Sequence, residues 1–289
     1  MPRLAETAAL TTIALCAFAA NSILTRLGLG HGHMDAASFA AVRLVTGALV
    51  LGALVRTQAG SWAPLRGRGA VGPLALFAYA APFSFAYVRI GAAAGALILF
   101  GSVQITMIGR GLVAGERPGA RTWLGLAIAA TGLAWLTMPA LGRPDPAGSA
   151  LMVVAGCAWG VYSLAGKRAP NALATNAHSF AWAALPALVL ASVLALVDSS
   201  LKVDLPGLAL AAASGGITSG LGYAVWYRAL RGLSATKAAI LQLCVPIIAA
   251  LGAVAILGEH VSPRLAISGL AVLGGVAVAL TAGRVAGRR

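Results

Sequence analysis

The segment CAFAANSILTR (residues 16–26) recurs far along the chain as CAWGVYSLAGK (residues 157–167). Four chemically similar positions keep their spacing in both copies: Cys16 and Cys157, Phe18 and Trp159, Ser22 and Ser163, and Arg26 and Lys167. Gly115-Glu116 likewise recurs as Gly258-Glu259, and each pair precedes a last apolar run. The chain therefore contains two related halves, which we predict to be residues 1–142 and 143–289.

The composition places both halves in a membrane. Hydrophobic residues make up 60% of the 289 residues, charged residues make up only 10%, and the mean hydropathy is +0.89. A soluble domain carries about 25% charged residues. The net charge of +14 comes from basic residues scattered between apolar runs, whereas nucleic-acid-binding proteins gather them on one face or stripe. We therefore predict an integral membrane protein, in contact with the lipid bilayer, that binds no nucleic acid.

Ten apolar segments are long enough to cross a bilayer, which takes about 20 residues each. The predicted spans are residues 7–27, 35–56, 70–88, 93–112, 121–140, 148–166, 176–197, 207–227, 235–257 and 263–283. All should be helices, because backbone groups that face lipid must be hydrogen-bonded within their own segment. Each half then holds an odd number of spans, so the halves face opposite ways across the membrane. The predicted fold is an all-α membrane protein of two inverted five-helix repeats, an arrangement typical of secondary transporters.

The basic residues indicate how the spans are oriented. With the N-terminus inside, fifteen of the 21 Lys and Arg residues fall on the cytoplasmic side, five fall outside, and Arg43 lies within a span. Such an excess marks the cytoplasmic side of a membrane protein. We therefore predict a multi-pass protein with both termini in the cytoplasm.

Four stretches of sequence carry a family resemblance. They are Phe18-Ala-Ala-Asn21-Ser22; Phe39-Ala-Ala-Val-Arg43-Leu; Gly115-Glu116-Arg117-Pro118 followed by Trp123-Leu-Gly-Leu; and Tyr227-Arg-Ala-Leu leading through Leu233-Ser-Ala and Val245-Pro246 to Gly258-Glu259. In their order and spacing they resemble the drug/metabolite transporter superfamily, in its ten-span EamA-type branch, over nearly the whole chain. The resemblance implies a central cavity, a cell inner membrane, and export or exchange of small metabolites or drugs. It implies no cofactor, and it leaves open whether the protein is a monomer or a homodimer.

Polar and aromatic residues within the spans are the candidates for substrate contact, because transporter sites lie near the bilayer midplane. The predicted substrate-binding residues are Asn21, Ser22, Arg43, Tyr79, Gln104, Trp159, Tyr162, Ser163, Thr218, Tyr223 and Gln242. Trp226 and Tyr227 are left out of this set. They fall near a span end, where membrane interfaces enrich Trp and Tyr.

Some of these candidates also allow a structural interpretation. Gln104 and Gln242 must point inward, where each either contacts substrate or only bridges two helices, a bond worth about 0.6 kcal/mol in measured cases. Arg43 either bonds helix-end carbonyls or reaches out to the interface, or it clamps a substrate carboxylate. For Arg43 we prefer the structural interpretation, because its motif does not depend on the type of substrate.

Acidic residues are missing from the predicted midplane. All seven fall at or beyond span ends, so direct proton coupling through a central carboxylate is not expected. His178, near a span end, is the only other relay candidate in a span, and facilitated diffusion, exchange or peripheral coupling stay open. His31 and His33 share one loop, but two histidines are too few to indicate a metal site.

Helix breakers indicate where the bundle could move. Pro82, Pro186 and Pro246 lie inside predicted spans, and glycines cluster at residues 215–222. Gly156-x-x-x-Gly160 is one of several small-residue faces suited to close helix contact. We expect alternating access, in which one repeat rocks against the other.

The predicted cavity chemistry favours one class of substrate. Amides, hydroxyls and aromatic rings without a central carboxylate suit neutral or zwitterionic small molecules such as amino acids, and we predict their export or exchange. Export of drugs or lipophilic compounds is the first alternative. A membrane-embedded enzyme is the second, but it needs clustered acids, histidines or a nucleophile, which this sequence does not bring together. A non-transporting membrane protein would have no need of inverted repeats.

Overall fold

The described protein consists almost entirely of helices. A computed structural model describes residues 4–60, 69–138, 145–198, 202–257 and 260–281. The α-helices are α1 (Leu4–Thr25), α2 (Ala36–Ala59), α3 (Val71–Val113), α4 (Ala120–Thr137), α5 (Pro146–Lys167), α6 (Ala172–Val197), α7 (Leu205–Ala213), α8 (Gly222–Leu230), α9 (Ala235–Gln242), α10 (Cys244–Leu257) and α11 (Pro263–Thr281). One π-helical turn, Arg26–Gly30, extends α1, and another, Ser214–Leu221, joins α7 to α8. Met34 and Val203 form an isolated β-bridge between two loops.

Eight helical segments of the described chain are long and apolar enough to cross a bilayer. Two of them combine consecutive elements: Leu205–Leu230 contains α7 and α8, and Ala235–Ile256 contains α9 and α10. α3 has 43 residues, a length of about 64 Å that is twice the thickness of the hydrocarbon core. Gly91 interrupts α3 with φ 71° and ψ 178°, a backbone conformation that only glycine adopts easily. This break falls between the predicted spans 70–88 and 93–112.

Capping side chains fix where several helices begin. Each cap accepts a hydrogen bond from the backbone N–H three residues further on: Asp35 for α2 (2.9 Å), Asp145 for α5 (2.7 Å), Asn171 for α6 (3.0 Å), Asp204 for α7 (2.7 Å) and Ser234 for α9 (3.2 Å). Such a bond satisfies a backbone donor that has no partner within the helix. Asn171 accordingly starts α6 at Ala172, earlier than the predicted residue 176.

Helices from the first part of the chain pack mainly against helices from the second part. α3 packs on α5, α4 on α11, and α2 on α6. Glycines permit the close approach: a Cβ on Gly156 would lie 2.6 Å from the carbonyl oxygen of Leu99, and one on Gly275 would lie 2.6 Å from that of Gly125. The predicted close contact at Gly156 is therefore confirmed, and its partner is α3.

Candidate functional site

A cavity of about 300 Å³ lies toward the end of the bundle at which α1 finishes. α1 and its π-helical extension contribute Ser22 and Arg26, and α3 contributes Phe83 and Tyr87 just before the break at Gly91. The part of α3 after the break and α10 supply most of the remaining wall, which is largely apolar. We call this space the upper cavity. The end of the bundle at which α1 begins is called the N-terminal face.

A second space of about 30 Å³, the lower cavity, lies deeper and shares Ser22, Phe83, Leu99 and Phe100 with the upper cavity. A space of this size has room for about one or two water molecules. Six of the eleven predicted site residues line it: Asn21, Ser22, Tyr79, Trp159, Tyr223 and Gln242. The structure therefore brings together residues from α1, α3, α5, α8 and α9 around one point.

Aromatic rings separate the lower cavity from the N-terminal face. The ring centroids of Trp159 and Tyr223 lie 4.6 Å apart, and those of Tyr79 and Trp159 lie 5.0 Å apart. Phe18 meets Trp159 edge-on at 5.2 Å. These two residues occupy equivalent positions in the repeated segment, so counterparts from the two halves touch at the cavity. Edge-to-face and tilted ring pairs at such distances are favourable and form a well-packed floor.

Asn21 connects α1 to the π-helical turn of the eighth predicted span. Its side-chain oxygen accepts a hydrogen bond from Ser214 at 2.7 Å and lies 3.4 Å from the hydroxyls of Thr218 and Ser219. Thr218 itself bonds the carbonyl oxygen of Ser214 and lines neither cavity. Ser214 and Thr218 are four residues apart and would share a face of an α-helix as well, whereas the π-helical turn also brings Ser219 toward the same amide.

Arg43 lies in the bundle interior beside the lower cavity, and it is only 1% exposed. Its guanidinium donates to the hydroxyls of Ser219 at 2.9 Å, Tyr79 at 3.2 Å and Tyr223. Its Cζ lies 5.2 Å from the ring centroid of Tyr79 and 5.8 Å from that of Phe83. Nη1 has no hydrogen-bond partner in the described part of the chain. Arg43 therefore links α2 to α3 and to the eighth predicted span through side-chain hydroxyls, and neither through helix-end carbonyls nor by reaching the membrane interface. These bonds do not decide between the structural and the substrate-binding interpretations of Arg43.

The two central glutamines have different surroundings. Gln242, at the end of α9, accepts a hydrogen bond from the Trp159 indole at 2.6 Å and lines the lower cavity. Pro246 follows the break between α9 and α10 and has no N–H to offer the Gln242 carbonyl, so the helix is interrupted at the cavity wall. Gln104 donates to the carbonyl oxygen of Ala239 at 2.7 Å and lines neither cavity. Its side-chain oxygen has no partner among the described residues.

The remaining candidates, Tyr162 and Ser163, lie beneath the cavity in one layer with Trp226 and Tyr227. Trp226 donates to Ser163 at 3.1 Å, and Tyr227 donates to the carbonyl oxygen of Tyr162 at 2.9 Å. Tyr162 donates in turn to Asn176 at 2.6 Å. Trp226 and Tyr227 are both fully buried. The prediction that they belong to an interfacial belt is therefore wrong, because their helix turns these rings inward rather than toward lipid.

Polar contacts close the N-terminal face. Arg228 and Glu6 form an ion pair at 2.6 Å, which joins α8 to α1. Glu116 accepts hydrogen bonds from the backbone N–H groups of Ala235 at 2.7 Å and Thr236 at 3.0 Å, at the start of α9. Partial burial raises the pKa of Glu116, but the hydrogen bonds from Thr236 and Ala235 outweigh it and hold the pKa below its ordinary value. The helix start also favours a negative charge at this position.

Several cavity-lining positions were missed by reasoning from the sequence. Tyr87 and Arg26 line the upper cavity, and the Tyr87 hydroxyl is buried without a partner among the described residues. Phe83, Leu99 and Phe100 line both cavities. Arg26 and Phe18 had a usable signal, because both belong to the repeated segment. The apolar residues had none, since lipid-facing and cavity-facing apolar side chains look alike in a hydrophobic span.

The chain is related to known proteins in sequence and in fold. Residues 146–281 match the profile of the EamA-like transporter family. Over 276 residues the chain is 46% identical to "Uncharacterized protein PA1977" of Pseudomonas aeruginosa. The aligned region covers 95% of this chain and 94% of that protein. A solved structure described as "Crystal structure of protein" superposes with a TM-score of 0.80 at 20% identity, covering 96% of this chain and 99% of that one. At that identity the solved structure supports the fold alone.

Proposed function

The chain belongs to the EamA-like transporter family of multi-pass membrane proteins, and from this we propose that it is a secondary transporter that exports or exchanges small neutral or zwitterionic metabolites, amino acids among them, by alternating access. The observation that carries the proposal is the cavity between the two halves of the chain. The upper cavity leads, at its deep end, to the hydroxyl, amide and aromatic groups of the lower cavity. Packed rings and polar contacts separate both cavities from the N-terminal face. A site reached from one face at a time is what alternating access requires.

Ten spans in two inverted repeats account for the helix pattern. Dividing α3 at Gly91 adds one span to the eight long apolar segments, and α4, with 18 residues, adds another. The packing supports a two-fold relationship, because α1 contacts α10 as α5 contacts the corresponding part of α3. The contact between Phe18 and Trp159, which are equivalent in the repeat, is expected close to the axis of such an arrangement.

The basic residues support a cytoplasmic position for the N-terminal face. Those of the described chain that belong to this face are Arg56, Arg110, Arg117, Arg121, Lys167, Arg168, Arg228, Arg231 and Lys237. An excess of Lys and Arg in short loops marks the cytoplasmic side. In this orientation both termini are cytoplasmic, the protein resides in the cell inner membrane, and the upper cavity faces the outside.

The lining of the cavities supports small, weakly charged substrates. No Asp or Glu lines either cavity within the described chain, so a strongly cationic drug would find no counter-charge. The upper cavity of about 300 Å³ lies at the small end of ligand pockets. A compact metabolite with one apolar group fits this space better than a large lipophilic drug.

Counterflow in proteoliposomes tests the proposal. Liposomes containing the purified full chain and preloaded with an unlabelled amino acid should accumulate the same labelled amino acid, in a saturable manner, while protein-free liposomes should not. Asn21→Ala should reduce the rate, because it removes the acceptor that holds α1 to the π-helical turn. Arg56→Gln, an exposed change at the end of α2, is the matched control and should leave the rate unchanged. Absence of counterflow for every member of an amino-acid panel would overturn the proposed substrates, and drugs or lipophilic compounds would then be the next panel.

A further inference from the structure

We propose that the carboxylate of the transported molecule binds Arg43, and that the site requires this carboxylate while containing no group that requires an ammonium. The inference rests on the proposed transport function and changes its substrate class, because it excludes neutral metabolites that lack a carboxylate and adds anionic ones. It follows from the buried charge of Arg43, from the tyrosines that lie between Arg43 and the lower cavity, and from the charges of the lining.

Arg43 carries a buried positive charge that no carboxylate in the described part of the chain neutralises. The ion pairs found there join other groups, namely His33 with Asp204, Arg89 with Asp145, and Arg228 with Glu6. Taking a charge out of water costs several kcal/mol, and buried charges are therefore normally paired. Nη1 of Arg43 still lacks a partner. A guanidinium has a planar set of donors that matches a carboxylate, so an anionic substrate group would supply what the protein does not.

Tyr79 and Tyr223 are the only groups that both bond Arg43 and line the lower cavity in the described structure. One layer of phenol therefore separates the cavity from the guanidinium. The bonds from Arg43 to the phenols are already charge-assisted, but a carboxylate adds the attraction between two opposite full charges and can accept two parallel N–H bonds from the guanidinium. A carboxylate that enters the lower cavity can therefore displace a phenol hydroxyl from Arg43, which requires the ring of Tyr79 or Tyr223 to move aside.

The lining offers a carboxylate more than it offers an ammonium. Arg26 is the only charged side chain among the residues described as lining the two cavities, and it is positive. A substrate ammonium would contact the oxygens of Asn21 and Ser22 and the faces of aromatic rings. These groups can bind a cation, but none of them carries a negative charge that requires one nearby. Apolar side chains such as Leu99 and Phe100 surround the rest of the space. The substrate class is therefore small carboxylates with an apolar body, whether zwitterionic or anionic.

Binding of four matched compounds tests this charge rule directly. Leucine, 4-methylpentanoate, leucinamide and 3-methylbutylamine share one branched apolar group and differ in their charged ends. Their dissociation constants for the purified full chain can be measured by calorimetry or by quenching of tryptophan fluorescence. We expect leucine and 4-methylpentanoate to bind within about threefold of each other, and the other two at least about tenfold more weakly, which corresponds to 1.4 kcal/mol. Equal binding of leucinamide and leucine would overturn the inference.

Variants of Arg43 and its partners separate a binding role from a structural one. Arg43→Gln should abolish the preference for carboxylates, Arg43→Lys should keep part of it, and the exposed control Arg56→Gln should not change it. Tyr223→Phe should tighten binding of 4-methylpentanoate by roughly threefold to tenfold, because the carboxylate no longer competes with that hydroxyl. A purely structural Arg43 predicts no such gain. If Arg43→Gln aggregates, Arg43→Lys and Tyr223→Phe still decide the question.

Transport of the same four compounds distinguishes failure of this inference from failure of the proposed function. Counterflow of leucinamide at the rate of leucine would leave a transporter in place and overturn the charge rule. Carboxylate-selective binding without counterflow of any compound would support the Arg43 site and overturn transport of this class. Carboxylate-selective binding and counterflow that are both lost in Arg43→Gln would support both proposals.

Discussion

The indole N–H of Trp159 donates to the side-chain oxygen of Gln242 at 2.6 Å, and this bond joins α5 to the end of α9 where its span is interrupted. The amide group of the same glutamine donates back to the carbonyl oxygen of Ala238 at 3.1 Å and contacts the sulfur of Met107 at 3.3 Å. Gln242 therefore fixes a cavity-lining ring from one half of the chain against a broken helix of the same half. If α5 or the end of α9 moves alone, this hydrogen bond must break; it stays intact only if the two move together.

Replacement of Gln242 by leucine should impair transport and lower stability. The change leaves the Trp159 indole N–H without its acceptor in a fully buried position, which costs about 1–3 kcal/mol. We expect a lower melting temperature in detergent, slower counterflow, and a shifted Trp emission. Gln104→Leu is the informative comparison, because Gln104 bonds Ala239 away from both cavities. An equal loss of counterflow in both variants would contradict the assignment of Gln242 to the cavity wall.

Substitution at Gly166 should disturb the closed N-terminal face. The ring of Tyr227 lies against this glycine, where a Cβ would overlap ring carbons. Gly166→Ala should therefore displace Tyr227 from the Tyr162 carbonyl, and overpacking of this kind costs about 1–3 kcal/mol. Thermal unfolding in detergent measures the loss. Gly101→Ala is the matched control, because nothing lies within 4 Å of a Cβ at Gly101. Identical melting temperatures for Gly166→Ala and the wild type would show that the Tyr227 ring does not pack tightly against Gly166.

Protonation of Glu116 should lower the stability of the protein in acid. Because its pKa is lower in the folded state than its ordinary value of 4.5, Glu116 contributes stability above that value, and the contribution is lost as the pH falls through the folded-state pKa. The melting temperature of the wild type should therefore exceed that of Glu116→Gln at pH 7. The two values should converge as the pH falls below 4.5. If the melting temperatures of the wild type and Glu116→Gln differed by the same amount from pH 7 to pH 3, Glu116 would not stabilise the start of α9.

A covalent link across the N-terminal face should stop transport. Glu6 and Arg228 form an ion pair at 2.6 Å, so cysteines at these positions can be joined by a short, cleavable bifunctional reagent. The native Cys16, Cys157 and Cys244 would first be replaced by alanine. The link should abolish counterflow, because α1 and α8 could no longer separate, and cleavage of the link should restore it. Full counterflow with the link intact would argue against opening of this face, and each single-cysteine variant treated with the reagent serves as the control.

Several helices could be predicted from the sequence because their apolar runs are bounded by residues with a clear local preference. Asp35, Asp145 and Asp204 cap helices, and Gly91 adopts a positive φ between two predicted spans. These are local effects that need no knowledge of neighbouring helices. The start of α6 was misplaced because Asn171 caps it, and the polar residues that follow are buried inside the bundle rather than exposed in a loop.

The site could be predicted only in part, because it depends on helix rotation. Distance from a span end suggested an interfacial position for Trp226 and Tyr227, yet their helix directs both rings inward. The same difficulty affects the two glutamines: both are central, but only Gln242 lines a cavity. Arg43 was recognised as unusual, although its tyrosine and serine partners lie far away in the sequence and could not be foreseen.

The π-helical turn Ser214–Leu221 sets the angular position of everything that follows it in its span. Since an α-helix has 3.6 residues per turn, each surplus residue held in a π-helical turn rotates the subsequent chain by about 100°. Tyr223, Trp226 and Tyr227 all follow this turn and face the interior with that rotation in place. Deletion of one residue such as the exposed Ile217 would swing all three rings together by more than a quarter of a circle. A change of helical register at this turn would therefore move the ring of Tyr223 away from Arg43 and the rings of Trp226 and Tyr227 away from α5.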